Sequence, residues 1–320
     1  MDKNNLTRER VLVTGGSGFI GSHLCDALVR RDKSVLSMDN GISGQMKNLS
    51  QLLSHRNFEH IQHDLTLPFE IDANEVYNLA CPASPKHYQK DAIATVRTNV
   101  LGTLNLLENS KRQLGCKTLQ ASTSEIYGDP EIHPQTEDYK GNVDPTGPRA
   151  CYDEGKRCAE TLFFDYHRSF EIEIKVARIF NTYGPRMRLD DGRVVSNFIR
   201  QALDGQDIQV YGNGQQTRSF CHVDDLVEGL ISLMDAPSHV IGPINLGRPI
   251  EFTILELADI ILTKISGPSK IVFAPLPEDD PKQRKPDITR AKEYLGWEPE
   301  IALEDGLEDT IAYFKSEYFK

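Results

Sequence analysis

Tyr152 and Lys156 stand four residues apart and are the pair in this chain best suited to moving a proton. On a helix that spacing puts both side chains on one face, one turn apart. A phenol with its ordinary pKa near ~10 is a poor base at neutral pH, and lowering it by three units takes about 4 kcal/mol of differential stabilisation. A neighbouring ammonium is one source, and a cationic ring is another. The spacing also arises by chance on solvated helix faces, so its meaning depends on what accompanies it. A second cluster, Ser122-Thr123-Ser124-Glu125-Ile126-Tyr127-Gly128, follows the apolar run Lys117–Ala121 and offers hydroxyls and a carboxylate.

A third cluster is built for binding. Gly15-Gly16-Ser17-Gly18-Phe19-Ile20-Gly21 follows a strand-like run and opens a helical one. Read from Gly16 it satisfies G-x-G-x-x-G, and from Gly15 G-x-x-G-x-x-G. Glycine permits the unusual backbone angles of the turn and lets a pyrophosphate approach bare main chain, where the helix start adds unpaired N–H groups. Asp39 ends the next strand-like run, 18 residues after Gly21. A carboxylate there accepts ribose hydroxyls and repels a 2′-phosphate, which favours NAD over NADP. No G-x-x-x-x-G-K-[ST] is present, which excludes a P-loop.

These clusters need a scaffold of alternating strands and helices. Arg10–Thr14, Ser34–Met38, Phe58–Gln62, Glu75–Leu79, Lys117–Ala121 and Ile172–Ala177 read as buried strands. Helices are expected over Gly18–Arg31, with Phe19, Ile20, Leu24, Ala27 and Leu28 on the buried side, over Asp91–Arg112 and over Arg149–Arg168. This alternation predicts an α/β fold with a Rossmann-type, doubly wound parallel sheet. After about residue 180 Gly and Pro punctuation becomes denser. Helices are expected near Val194–Leu203, Val223–Met234, Thr253–Ile265 and Leu303–Phe314, in a smaller C-terminal α/β lobe. The expected division is residues 1–180 for the NAD domain and 181–320 for the lobe, with a soft, interleaved boundary.

The 320 residues, 39% hydrophobic and 26% charged, exclude collagen-like and disordered classes. A net charge of −11 and the lack of a basic run argue against nucleic acid as a partner. No apolar stretch reaches the ~20 residues of a membrane helix. The polar start MDKNNLTRER does not resemble a secretory signal. Six cysteines without a C-x-x-C pair suit reduced thiols, so a cytoplasmic location is expected and the sequons at Asn5 and Asn48 are read as accidental. No H-x-x-x-H or H-E-x-x-H occurs among the nine histidines, so no metal site is expected.

In this order, Gly15–Gly21, Asp39, Thr123–Tyr127 and Tyr152–Lys156 resemble the extended short-chain dehydrogenase/reductase family, whose members act on nucleotide sugars. Longer segments sharpen the resemblance to its UDP-glucuronate decarboxylase branch. They are Ala80-Cys81-Pro82-Ala83-Ser84-Pro85, the Ser122–Pro130 run, the Gly147–Arg157 run, the Arg178–Met187 run, the Asp191–Phe198 run and Arg284-Lys285-Pro286-Asp287-Ile288. Cys81 departs from the branch, which commonly has Ser there.

The resemblance implies NAD-dependent conversion of UDP-glucuronate to UDP-xylose through a 4-keto sugar, with the hydride returned. It implies Tyr152 as proton acceptor, Lys156 as the group holding it and the nicotinamide ribose, Thr123 on the sugar hydroxyl and Glu125 near C5. Gly15, Gly18, Phe19, Ile20, Gly21, Asp39, Asn40, Asp64, Leu65 and Leu79 would contact the cofactor together with Tyr152 and Lys156. Tyr88, Thr98, Asn99, Asn181, Arg193, Tyr211, Arg218 and Arg284 would contact the substrate, with Thr98 and Asn99 at the pocket mouth. Arginine suits a pyrophosphate because its planar fork makes paired charge-assisted bonds. A homodimer built on the two long helices is also implied, with Ala94, Leu101, Leu104, Ala159, Leu162 and Phe163 as apolar surface. Related activities stay open here: a 4,6-dehydratase, which would want an acid where Ser124 stands, a 4-epimerase, and a non-catalytic NAD-binding protein.

Overall fold

The computed structural model describes residues 9–275 and 283–318; the sequon at Asn5 lies outside them. Strands β1 (Arg10–Thr14), β2 (Ser34–Asp39), β3 (Phe58–Gln62), β4 (Glu75–Asn78), β5 (Lys117–Thr123) and β6 (Glu173–Ile179) form the central sheet with a seventh strand, Ile244–Leu246. Their order is 244–246, β6, β5, β4, β1, β2, β3, and every pairing is parallel. β1 and β4–β6 are buried along most of their length, as a sheet covered on both faces requires.

Helix α1 (Phe19–Arg30) packs on this sheet through Leu24, Ala27 and Leu28, none more than 2% exposed. Phe19 and Ile20, expected on the same buried side, are only half-buried, because the first turn of α1 faces the ligand cleft. Asp91–Arg112 forms as α2 (Pro85–Tyr88 precedes it as a separate single turn) at Ala92–Arg97, a π-helical turn at Thr98–Gly102, and α3 at Thr103–Lys111. The Asp91 carboxylate caps its start by accepting from the Ala94 N–H at 2.9 Å. Helix α4 (Ala150–Phe170) crosses this pair and carries Tyr152 and Lys156.

After β6 the chain builds a second apolar cluster from Val194–Leu203, Ile254–Lys264 and Leu303–Tyr318, and between the first two of these it returns to the sheet at Ile244–Leu246. The helix Val223–Asp235 and Trp297 belong to the sheet's own core. Lys175, fully buried on β6, donates to the Ala236, Pro237 and Val240 carbonyls at 2.8–3.0 Å and ties down the end of that helix. Ala159 and Phe163 are 0% exposed and lie inside the fold, so the apolar face expected of α4 is narrower than the sequence suggested. Ile93, Val96 and Leu101 are 70%, 40% and 44% exposed on the other long helix.

Candidate active site

A cleft of about 960 Å³ runs across the carboxyl ends of the parallel strands, where open α/β sheets bind ligands. One end is the glycine turn. Gly15 has φ +69°, and a Cβ there would lie 2.8 Å from the Leu79 backbone; a Cβ on Gly21 would lie 2.2 Å from the Gly15 carbonyl oxygen. Helix α1 starts at Gly18 with no side chain capping its first N–H groups, which leaves them for an anion. Asp39 at the tip of β2 accepts from the Gly41 N–H at 2.8 Å and the Ser17 N–H at 3.1 Å, which pins its carboxylate at the cleft wall. Asn40 donates to Asp64 at 3.3 Å, and Leu65 and Leu79 complete the apolar side. These residues fit an NAD molecule: bare glycine for the pyrophosphate, and a carboxylate for the ribose.

The middle of the cleft holds the proton-transfer groups. Thr123 ends β5, two residues beyond the expected strand end, and its Oγ1 accepts from the Glu125 N–H at 3.2 Å. The Tyr152 hydroxyl is hydrogen-bonded to Thr123. Burial first, then the Cys81 thiol, hold this phenol well above its ordinary value, against that hydrogen bond. Lys156 is 4% exposed and donates to the Ala121 carbonyl at 2.9 Å, with its Nζ 5.8 Å from the Tyr152 ring centroid. Burial pushes its own pKa down. The ammonium thus sits beside the tyrosine ring with one donor already used, and it does not by itself bring the phenol down.

Tyr88 stacks on Tyr152, with ring centroids 4.9 Å apart and planes within 7°. It is 1% exposed, and its hydroxyl oxygen makes no hydrogen bond. Glu125 is held between two guanidinium groups, Arg149 at the start of α4 and Arg284 on the short strand Gln283–Arg284. Burial would raise the Glu125 pKa, but the two arginines outweigh it and hold the carboxyl below its ordinary value. Arg149 was not singled out from sequence; its place four residues before Asp153, at the head of the tyrosine helix, was the available signal.

Beneath this loop lies a buried network. Arg178 donates to both Glu160 oxygens at 2.8 and 3.0 Å and to the Tyr127 hydroxyl at 3.1 Å; Tyr127 donates to Asn245 at 2.7 Å. It anchors the turn Ser124–Tyr127 and keeps Arg178 out of the cleft.

The far end gathers Asn181, Arg193, Tyr211, Arg218 and Arg284. Arg218 and Arg284 face each other in register on adjacent parallel strands. Arg193 is bound by Asp191 at 2.5 and 3.0 Å and leans toward the Phe19 ring, 5.9 Å away. Thr98 lines the cleft, but Asn99 does not. Asn99 is 2% exposed and lies behind the wall, donating to the Cys81 sulfur at 3.2 Å and the Thr95 carbonyl at 3.1 Å. Asn48 likewise is 4% exposed beneath the cofactor end and donates to the Ser17 carbonyl. Among the described residues no helix is long and apolar enough to cross a membrane, and no group of three or more His, Cys, Asp or Glu could hold a metal ion.

Residues 12–310 match the family described as GDP-mannose 4,6 dehydratase. The chain is 55% identical to UDP-glucuronic acid decarboxylase 4 of Arabidopsis thaliana over 97% of its own length and 69% of that protein's. It is 53% identical to UDP-glucuronic acid decarboxylase 1 of Danio rerio, over 97% and 73%. A solved UDP-glucuronic acid 4-epimerase from Bacillus cereus, in complex with UDP-glucuronic acid and NAD, is 31% identical and superimposes with a TM-score of 0.85 over 97% of this chain and 100% of the other.

Proposed function

Since the chain belongs to the UDP-glucuronic acid decarboxylases of the extended short-chain dehydrogenase/reductase family, we propose that it converts UDP-glucuronate to UDP-xylose and CO₂ with NAD retained as a catalytic group. The observation that carries this reading is the Glu125–Arg149–Arg284 cluster in the same cleft as the Thr123–Tyr152 pair. One part is suited to a sugar acid, and the other to a sugar hydroxyl.

Gly15, Gly18, Gly21 and Asp39 would hold the dinucleotide, with Lys156 at its nicotinamide ribose. Bound NAD supplies a hydride acceptor for C4 of the sugar and returns the same hydride, so the net change is redox-neutral. Tyr152 takes the C4 hydroxyl proton, and Thr123 fixes that hydroxyl. A ketone at C4 makes the C5 carboxylate a β-keto acid, whose electrons flow toward O4 as CO₂ leaves. Tyr152 and Thr123 donate hydrogen bonds to the developing oxyanion, C5 takes up a proton, and Tyr152 gives its proton back to O4 as the C4 alcohol is restored. Tyr88 covers the reacting face and excludes water through its stack on Tyr152. Arg193, Arg218, Tyr211 and Asn181 take the uridine diphosphate end, with Arg218 and Arg193 on the pyrophosphate.

The exposed Ile93, Val96 and Leu101 support a homodimer through the Asp91–Arg112 helix. The absence of a C-x-x-C pair supports a reducing, cytoplasmic setting.

Product identification by mass and NMR after incubation with UDP-glucuronate tests the reading. UDP-xylose and CO₂ without lasting NADH absorbance are expected. UDP-galacturonate would make the chain a 4-epimerase, and steady NADH accumulation would make it an oxidative decarboxylase that stops at the ketone.

A further inference from the structure

Asp153 follows Tyr152 in the first turn of α4 and has no part in the chemistry above. It is 6% exposed, and its Oδ1 makes no hydrogen bond. A buried carboxylate oxygen without a donor is costly, so a position that keeps one beside a reaction site calls for a reason.

The surrounding charges supply it. The Asp153 N–H donates to the Arg149 carbonyl at 3.1 Å, one turn from the head of α4. The charged and titratable groups acting on its carboxyl are Glu125 from the turn after β5, Arg284 from the Gln283–Arg284 strand, Tyr88 from the single turn before α2, and Arg149, Cys151 and Glu154 from its own helix. Both arginines make their ion pairs with Glu125, so Asp153 is an additional acid in a cluster that is already paired. Burial first, then Glu125, push its carboxyl up to about 7, with the arginines only partly offsetting them.

We propose that Asp153 is a specificity-determining positioning residue whose proton sets the net charge of the Glu125–Arg149–Arg284 cluster and thereby its hold on a substrate carboxylate. With Asp153 neutral, two guanidinium cations face one carboxylate, and one positive charge remains for an anionic sugar. With Asp153 ionised the cluster sums to zero, and the surplus that draws a sugar acid is gone. A neutral hexose has no stake in that balance. This inference rests on the reading of the cleft as a UDP-glucuronate site.

The test compares UDP-glucuronate with UDP-glucose on the NAD-loaded protein from about pH 6 to about pH 9. KM for UDP-glucuronate should climb above neutrality, by up to about tenfold per pH unit, while kcat moves by less than about threefold. The inhibition constant of UDP-glucose, which lacks the carboxylate, should stay flat. Burial lowers the pKa of His87 in the cleft wall from its ordinary value, which moves its titration away from the climb expected above neutrality. Asp153→Asn should remove the climb and hold KM near its low-pH value, and Asp153→Glu should restore it. A flat wild-type KM, a climb that survives in Asp153→Asn, or a parallel climb for UDP-glucose would each overturn the proposal. If Asp153→Asn does not fold, the wild-type contrast between the two nucleotide sugars decides alone. Failure of the functional reading has a different signature, namely no decarboxylation at any pH. Calorimetric binding of UDP-glucuronate and UDP-glucose across the same range would still read the charge effect.

Discussion

Glu125 is ionised because two arginines hold it so, and Glu125 is the carboxylate each of them pairs with. Removing one charge from such a buried set leaves uncompensated cations, which costs about 3–5 kcal/mol when the pair is well enclosed and less at this partly open cleft. Glu125→Gln should therefore lower both the melting temperature and kcat, the latter by about 10²-fold or more. A normal kcat with a normal melting curve would remove Glu125 from the site. Asp153 carries the opposite sign. Its carboxyl sits at about 7 against an ordinary 3.8. Below the ordinary value both folded and unfolded chains hold the proton, so burial carries no penalty from this group. Between the two values only the folded chain holds it, and stability falls as pH rises. Above about 7 the loss is complete, at most about 4 kcal/mol. Asp153→Asn should thus melt close to wild type near pH 4 and increasingly above it toward pH 8; a gap that narrows with rising pH would refute this. The Tyr152–Lys156 pair was legible because it is local, one helical turn. The partnership of Glu125 with Arg149 and Arg284 spans 24 and 159 positions, a separation no periodicity encodes.

The elements show the same division between local and remote causes. Short apolar runs located β1 to β6 to within a few residues, since each strand carries buried residues in a short stretch between helical segments. The seventh strand, Ile244–Leu246, escaped the pattern. Three residues between Gly242-Pro243 and Gly247 carry no period, and their membership in the sheet is decided by pairing with β6. The long helix from Asp91 was expected as one piece. Its π-helical turn at Thr98–Gly102 inserts an extra residue into the winding, and that turn swings Asn99 behind Cys81 while Thr98 keeps the cleft. The glycine turn offers the sharpest element-scale prediction. A Cβ on Gly21 would meet the Gly15 carbonyl oxygen at 2.2 Å, and it could be relieved only by moving α1 off the loop. Gly21→Ala should lose roughly 1–3 kcal/mol in a denaturant titration and purify without dinucleotide absorbance. Retention of the dinucleotide would show that the loop and helix can part without disturbing the pyrophosphate seat.

At the scale of the whole molecule the open question is what covers the outer helix face. Ile93 and Val96 stand three apart, and Leu101 follows five later across the π-helical turn; the wider turn keeps all three on one side. Leu104 and Leu162 border them, half-buried. A monomer with a net charge of −11 tolerates scattered apolar residues, but an aligned row on a helix packed against the one carrying Tyr152 is a seam waiting for a partner. A second copy of the chain meets it by two-fold symmetry, each helix presenting the same row to the other. Light scattering on the purified protein should give twice the chain mass, and the melting temperature should rise with protein concentration. The double substitution Ile93→Glu with Leu101→Glu should halve that mass, since apposed like charges replace the apolar contact and cannot be desolvated there. Because both residues point away from the cleft, the separated chain should still bind NAD. A wild-type protein of single-chain mass at micromolar concentration would leave the row unexplained and the dimer refuted.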